Sequence, residues 1–294
     1  MTAINRVLTT TDLSAPARHA AERAARLAAE IGAQLDLIHV IGRTPLDKLR
    51  QLVTPQSAEV EQRVVELATA EVEELAETLR LHHGLSARAR VVSGPLLAEI
   101  AALADAVDAG LIVLGARGAS FMRHALLGST AERLVGRASR PMLVVKQAAH
   151  ESYRSLLIPV DFSPSSLRAL QLARSVAPRA RIVLLHAFEV PFEGKLQFAG
   201  VEEGTIHGYR TAARQQAVRQ MQTLREAAGL APHEVQFKVL HGDATQRILE
   251  QEQEEDCDLI VMGKHGENLL EDLLLGSVTR HVLSQSQGDV LVSV

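Results

Sequence analysis

Sulfur and large aromatic rings are scarce in this chain: one cysteine, no tryptophan, six phenylalanines and two tyrosines among 294 residues. A lone Cys257 excludes an internal disulfide and leads to the expectation of a reducing compartment. No apolar run approaches the roughly 20 residues that span a bilayer. A basic excess is missing as well, because 31 Lys and Arg stand against 35 Asp and Glu, mixed along the chain. That balance carries no electrostatic footprint for nucleic acid. The opening stretch MTAINRVLTTTD lacks the basic patch and apolar core of a secretion signal. The expectation is a cytoplasmic protein with no nucleic-acid and no membrane partner. Several catalytic signatures are also missing: no Walker loop, no early G-x-G-x-x-G, no zinc spacing and no nucleophile elbow.

What the chain does have is a copy of itself. RVLTTTDLS, beginning at Arg6, matches SLLIPVDFS, beginning at Ser155, and sets Asp12 on Asp161. LDLIHV matches IVLLHA with His39 on His186, SGPLLAEI matches HGDATQRI, LIVLG matches LIVMG, and MLVVK matches VLVSV. The offsets stay between 147 and 149. That period is too long for a solenoid and fits a duplicated domain. Domains are expected over 1–147 and 154–294, on either side of the polar stretch QAAHESY.

Each half alternates short apolar runs with longer amphipathic ones. Ala17, Ala20, Ala21, Ala24, Leu27, Ala28 and Ile31 recur at helical spacing between a Ser14 cap and a Gly32 stop. Ser163 is expected to cap the equivalent helix, with Pro164 at its first position. Residues 55–82 read as a longer helix. The strands are apolar without alternation, as in a parallel sheet covered by helices on both faces. The fold class is therefore α/β in each half.

The stretch GARGASFMRHALLGST, Gly115 to Thr130, follows the strand LIVL and spaces its glycines as G-x2-G-x9-G. GKHGENLLEDLLLGSV, Gly263 to Val278, repeats that spacing after LIVM. In a doubly wound sheet ligands bind at the carboxyl ends of the strands, where these loops lie. Gly115 and Gly118 allow close backbone approach, and Gly128 with Ser129 and Thr130 opens a helix whose free N–H groups suit an anion. Turn and cap glycines alone would produce part of this pattern, since a duplicated fold repeats its turns.

The repeated G-x2-G-x9-G-[ST], the aspartate ending the first strand and the closing L-V-V strand resemble the universal stress protein family, and the resemblance covers both halves. It implies two flavodoxin-like (Rossmann-like) domains, each a five-stranded parallel sheet of order 3-2-1-4-5. It implies ATP binding, with a divalent ion such as Mg²⁺ on the phosphates. It also implies that the two halves pair through their last strands as an intramolecular pseudo-dimer, with a homodimer of chains as a further option. Carried over by position, Asp12, the backbone of Val40 and Gly115 would contact adenine and ribose. Gly118, Gly128, Ser129 and Thr130 would hold phosphates, with Arg117 beside them. The second-half set is Asp161, Ala187, Gly263, Gly266, Gly276, Ser277 and Val278. No catalytic residue and no metal-ligating side chain is assigned. The expected role is that of an ATP-binding stress-response protein acting through nucleotide-dependent conformation or binding of a protein partner. A slow ATP hydrolase is the alternative, with Arg117, Arg123 and His124 its nearest polar groups, and an interaction scaffold with degenerate sites is the third reading.

Other polar residues read as structural. His39 and His186 lie in strands, acids flank Cys257, and His82, His83 and the run EQEQEED resemble solvated helix ends. The segment from Phe188 to Tyr209 holds half of the phenylalanines and tyrosines, and its glycines argue against a continuous helix. A packed loop or an aromatic flap is expected there. The glycine loops differ in charge: Arg117 and Arg123 make the first +2, while Lys264 against Glu267, Glu271 and Asp272 makes the second −2. On that ground the first half is expected to be the better ATP binder.

Overall fold

The computed structural model describes residues 4–42, 57–118, 127–266 and 275–294. The chain divides into two compact units, Met1–Ser152 and Tyr153–Val294.

The first unit runs β1 (Arg6–Thr11), α1 (Ala15–Ile31), β2 (Gln34–Gly42), α2 (Ser57–His83), β3 (Ala87–Gly94), α3 (Leu96–Ala106), β4 (Leu111–Gly115), α4 (Ser129–Gly136) and β5 (Met142–Val145). Its strands are all parallel, in the order β3-β2-β1-β4-β5. The second unit runs β6 (Ser155–Pro159), α5 (Pro164–Val176), β7 (Arg181–Phe188), α6 (Glu193–Phe198), α7 (Glu203–Ala227), β8 (Val235–His241), α8 (Ala244–Glu254), β9 (Leu259–Gly263), α9 (Ser277–Gln285) and β10 (Asp289–Ser293). Its order, β8-β7-β6-β9-β10, is the same 3-2-1-4-5 pattern. Both units are flavodoxin-like.

The central strands are apolar on both faces because helices cover both. Val7, Leu8, Leu37, Val113 and Leu143 are fully buried in the first sheet, as are Leu157, Val183, Ile260 and Leu291 in the second. Small side chains of α1, among them Ala20, Ala21, Ala24 and Ala28, are buried and let that helix lie close to the strands. Gly32 ends α1 at φ 72°, the left-handed geometry in which a side chain is strained. Ser14 caps α1 by accepting from Ala17 N. Ser163 holds the same place before α5 but makes no such bond. Its hydroxyl donates instead to Asp161 Oδ1 at 2.6 Å. The expected side-chain cap is thus absent at Ser163, while both serines bond to the aspartate two residues before them.

Two further expectations change. The segment after β7 is helical: Gly204 and Gly208 lie inside α7, and the break falls at Gly200, where φ is +76°. Arg210 of α7 donates to Glu193 Oε1 and pairs with Glu203, while His241 meets Glu193 Oε2 at 2.7 Å. Ile206 is fully buried beneath. Tertiary contact therefore overrides the weak propensity of the two glycines. Arg210, first, and then His241 hold the Glu193 carboxyl below its ordinary range. The histidines closing α2 are not simply solvated: His82 Nδ1 and His83 Nε2 meet the two oxygens of Glu22 at 3.0 and 2.6 Å. In EQEQEED, Glu252 is buried and accepts from Gln287 N and Gly288 N. Among the described residues no helix is long and apolar enough to cross a membrane.

Candidate functional site

Each unit has a cavity at the carboxyl ends of its strands. Both are built from the same pieces: the turn after the first strand, the tip of the second, the loop after the fourth, and the start of the helix that follows. The first has a volume of about 380 Å³ and is lined by Asp12, Val40, Gly115, Arg117, Gly118, Gly128, Ser129 and Thr130, among others. All eight first-half positions expected from the sequence therefore share one wall. The second, of about 660 Å³, is lined by Asp161, Ala187, Gly263, Gly266, Gly276, Ser277 and Val278, which is the complete second-half set. Both volumes fall within the range of small-molecule sites, about 300–1,000 Å³.

The aspartate turns are held from within. Asp12 Oδ1 accepts from Ser14 N at 3.1 Å and from the Ser14 hydroxyl. Asp161 Oδ1 accepts from Ser163 N, Ser163 Oγ and Ser166 Oγ at 3.0, 2.6 and 2.8 Å. The other oxygen of each carboxylate faces the glycine loop. A Cβ on Gly118 would lie 2.5 Å from Asp12 Oδ2, and one on Gly266 would lie 2.8 Å from Asp161 Oδ2. The middle glycine of each motif thus lets the loop close onto the aspartate, a role in addition to room for a phosphate. The residues following the aspartates, Leu13 and Phe162, have φ of 64° and 66°.

The apolar end of the first cavity is formed by Ile38, Leu96, Ile100 and Leu114. Leu185, Ala244, Ile248 and Met262 form that of the second. The helix starts belong to the same walls, and each is tied to the loop after the fourth strand, Gly128 N donating to Ala116 O at 2.7 Å and Gly276 N to Lys264 O at 2.9 Å. A planar apolar group at one end and an anion at the other suit this arrangement.

His39 and His186 are held by the fold, each with Nδ1 near the carbonyl of the first strand's end: Thr11 O at 2.9 Å and Val160 O at 2.8 Å. Burial pushes the Cys257 thiol above its ordinary range, the opposite of an activated nucleophile.

The comparison of loop charges changes on the structure. Arg123, Glu267, Glu271 and Asp272 lie outside the described residues. Lys264 is buried and is not part of the second cavity's wall. Instead the second wall carries His265, Arg280, Ser165 and Ser166, none of which the sequence reading selected. The offset of 148 could have found two of them, because it sets His265 on Arg117 and Arg280 on Glu132.

Comparison with known proteins agrees with this geometry. The model of the Universal stress protein family matches residues 3–146 and, a second time, residues 152–293. The chain belongs to the universal stress protein family. As a tandem member it is 28% identical over 300 residues to a universal stress protein of Mycolicibacterium smegmatis, covering 97% of this chain and 96% of that one. It is 29% identical over 237 residues to Universal stress protein Rv1996 of Mycobacterium tuberculosis, covering 76% of this chain and 72% of the relative. A universal stress protein of Archaeoglobus fulgidus shares the fold, with a TM-score of 0.67 at 21% identity, over 99% of this chain and 98% of that one.

Proposed function

We propose that this universal stress protein binds an adenine nucleotide in each half and acts through the occupied or empty state rather than through catalysis. The adenine lies against the apolar end of each cavity. Asp12 or Asp161, the backbone of Val40 or Ala187, and Gly115 or Gly263 face the base and ribose. The phosphates meet Arg117, Gly118, Gly128, Ser129 and Thr130 in the first half, and Gly266, Gly276, Ser277 and Val278 in the second. Mg²⁺ enters with the phosphates and needs no protein cluster of its own. A cytoplasmic location agrees with this role.

The observation that carries the reading is that both copies of the motif gather at a cavity whose wall combines apolar side chains with the start of a helix. Binding is favoured over hydrolysis by the placing of the aspartates. Asp12 and Asp161 are the carboxylates among the described wall residues. A general base must lie within reach of the water that attacks the terminal phosphate, whereas in this reading both aspartates face the base and ribose.

Mass spectrometry of the small molecules released from the purified chain tests this, together with titration of the stripped protein. Bound ATP that remains intact over hours is the expected outcome. ADP accumulating with turnover would favour a slow hydrolase. No binding at millimolar nucleotide would favour an interaction scaffold.

A further inference from the structure

The two cavities share a backbone plan and place their cation differently: Arg117 is on the loop of the first wall, where the second has His265, and Arg280 is on the helix of the second. Arg280 is the fourth residue of α9 and lines the second cavity. Its counterpart in α4 is Glu132, also in the first turn. Arg280 is exposed, and its side chain has no hydrogen bond or ion pair among the described residues. A cation in the first turn opposes the helix dipole, whereas the glutamate of α4 complements it. Among the described residues the second unit therefore keeps an unpaired guanidinium at the end of α9 where a positive charge is locally unfavourable, beside an open cavity.

A second observation comes from the loop. His265 lines the same cavity, and its Nδ1 is buried with no hydrogen-bond partner among the described residues. Such an atom in a native protein calls for an explanation, and a bound ligand or water is one. Ser165 and Ser166 add hydroxyls where the first unit has Pro16 and Ala17, and this cavity is the larger of the two. The second cavity is thus the roomier and the richer in hydroxyls, with its cation on the helix.

We propose that Arg280 makes the second cavity selective for the more highly phosphorylated nucleotide, by contacting the outer phosphates. The first cavity, whose described wall holds Arg117 on the loop and no cation on the helix, discriminates less between triphosphate and monophosphate. This rests on the nucleotide-binding reading above. It concerns the helix start and not the loop charges, whose acids lie outside the described residues.

The test separates binding from folding, since the two move in opposite directions. Arg280→Glu places an acid at a helix start and is expected to leave Tm unchanged or raise it. Glu132→Arg does the reverse. The full-length wild type and both variants are titrated with ATP and with AMP at low salt. In Arg280→Glu the ratio of ATP to AMP affinity is expected to fall about tenfold at one of the two sites, and the gap should shrink as salt rises. In Glu132→Arg the ratio at the other site should rise. An Arg280→Glu protein with the wild-type ratio at both sites overturns the inference and leaves the nucleotide reading standing. Failure of the wild type itself to bind either nucleotide overturns both.

Discussion

Gly118→Ala is expected to lower nucleotide affinity in the first cavity by about tenfold or more, equivalent to about 1.4 kcal/mol. The added methyl would sit 2.5 Å from Asp12 Oδ2, a separation that carbon and oxygen do not tolerate. Either the loop retreats or the carboxylate turns away. Turning away breaks the bonds from Ser14 N and Oγ to Asp12 Oδ1, each worth about 1 kcal/mol. Both routes spoil the cavity on the side where Asp12 and Gly118 meet. Gly128→Val acts on the other side, since its Cβ would lie 3.3 Å from Ala116 O, a backbone atom that cannot swing aside. Calorimetric titration reads the affinity, and thermal unfolding confirms that the variants fold. The decisive comparison is Gly118→Ala in an Asp12→Ala background. If the methyl acts through Asp12, the double variant is no worse than Asp12→Ala alone. A full additional loss would mean that Gly118 acts on the ligand directly.

The largest stability effect is expected at Asp36, away from both cavities. Asp36 is completely buried in β2, and neither of its carboxylate oxygens has a hydrogen-bond partner among the described residues. Arg6 Nε lies 3.7 Å from Oδ2, an ion pair without a hydrogen bond. The second unit shows what that place accepts. Asp36 pairs in register with Leu8, and Val183 pairs in register with Leu157 at the equivalent position. Asp36→Val is therefore expected to hold or raise stability, because Arg6 is partly exposed and keeps its bond to Gln34 Oε1 when the carboxylate is lost. Arg6→Met should destabilise the protein by about 3–5 kcal/mol, because the buried carboxylate is left without its cation. The Arg6→Met/Asp36→Val double variant, in which apolar groups replace both members, should recover that loss and come out between neutral and about 1–4 kcal/mol more stable than the wild type. Chemical denaturation measures all three, and a destabilised Asp36→Val protein would show that the carboxylate has a role beyond its pairing with Arg6.

Much of this was legible before the fold was known, and the reason is local. Parallel strands buried on both faces are continuous apolar runs, so LIVLG and LIVMG announce themselves, and the glycine motif begins where each run stops. Asp12 and Asp161 close their strands in the same way. Features that depend on distant partners were hidden. His82 and His83 read as solvated because Glu22 lies some sixty residues earlier. Gly204 and Gly208 argued against a helix that Ile206 and the Glu193–Arg210 pair hold in place. Arg280 looked like an ordinary helix residue, since only the orientation of α9 turns its first turn toward the cavity. Asp36, inside LDLIHV, gave no sign that it is entirely buried.

The left-handed residue after each aspartate carries a consequence for how the two halves diverge. Leu13 at φ 64° and Phe162 at φ 66° pay a conformational penalty on the order of 1 kcal/mol that a glycine would avoid. Their neighbours are fixed by specific atoms, Asp lying against the loop glycine and Ser bonded to the Asp, but the left-handed position itself is defined only by its backbone angle. Under mutational drift it is the free site of an otherwise fixed triplet. Glycine can enter there without disturbing the aspartate, and a bulky side chain persists only while its packing repays the strain. Phe162 has such a contact, with its ring 4.4 Å from that of His186. Descendants of this duplication should therefore keep aspartate and serine in both copies while the residue between them wanders independently in each.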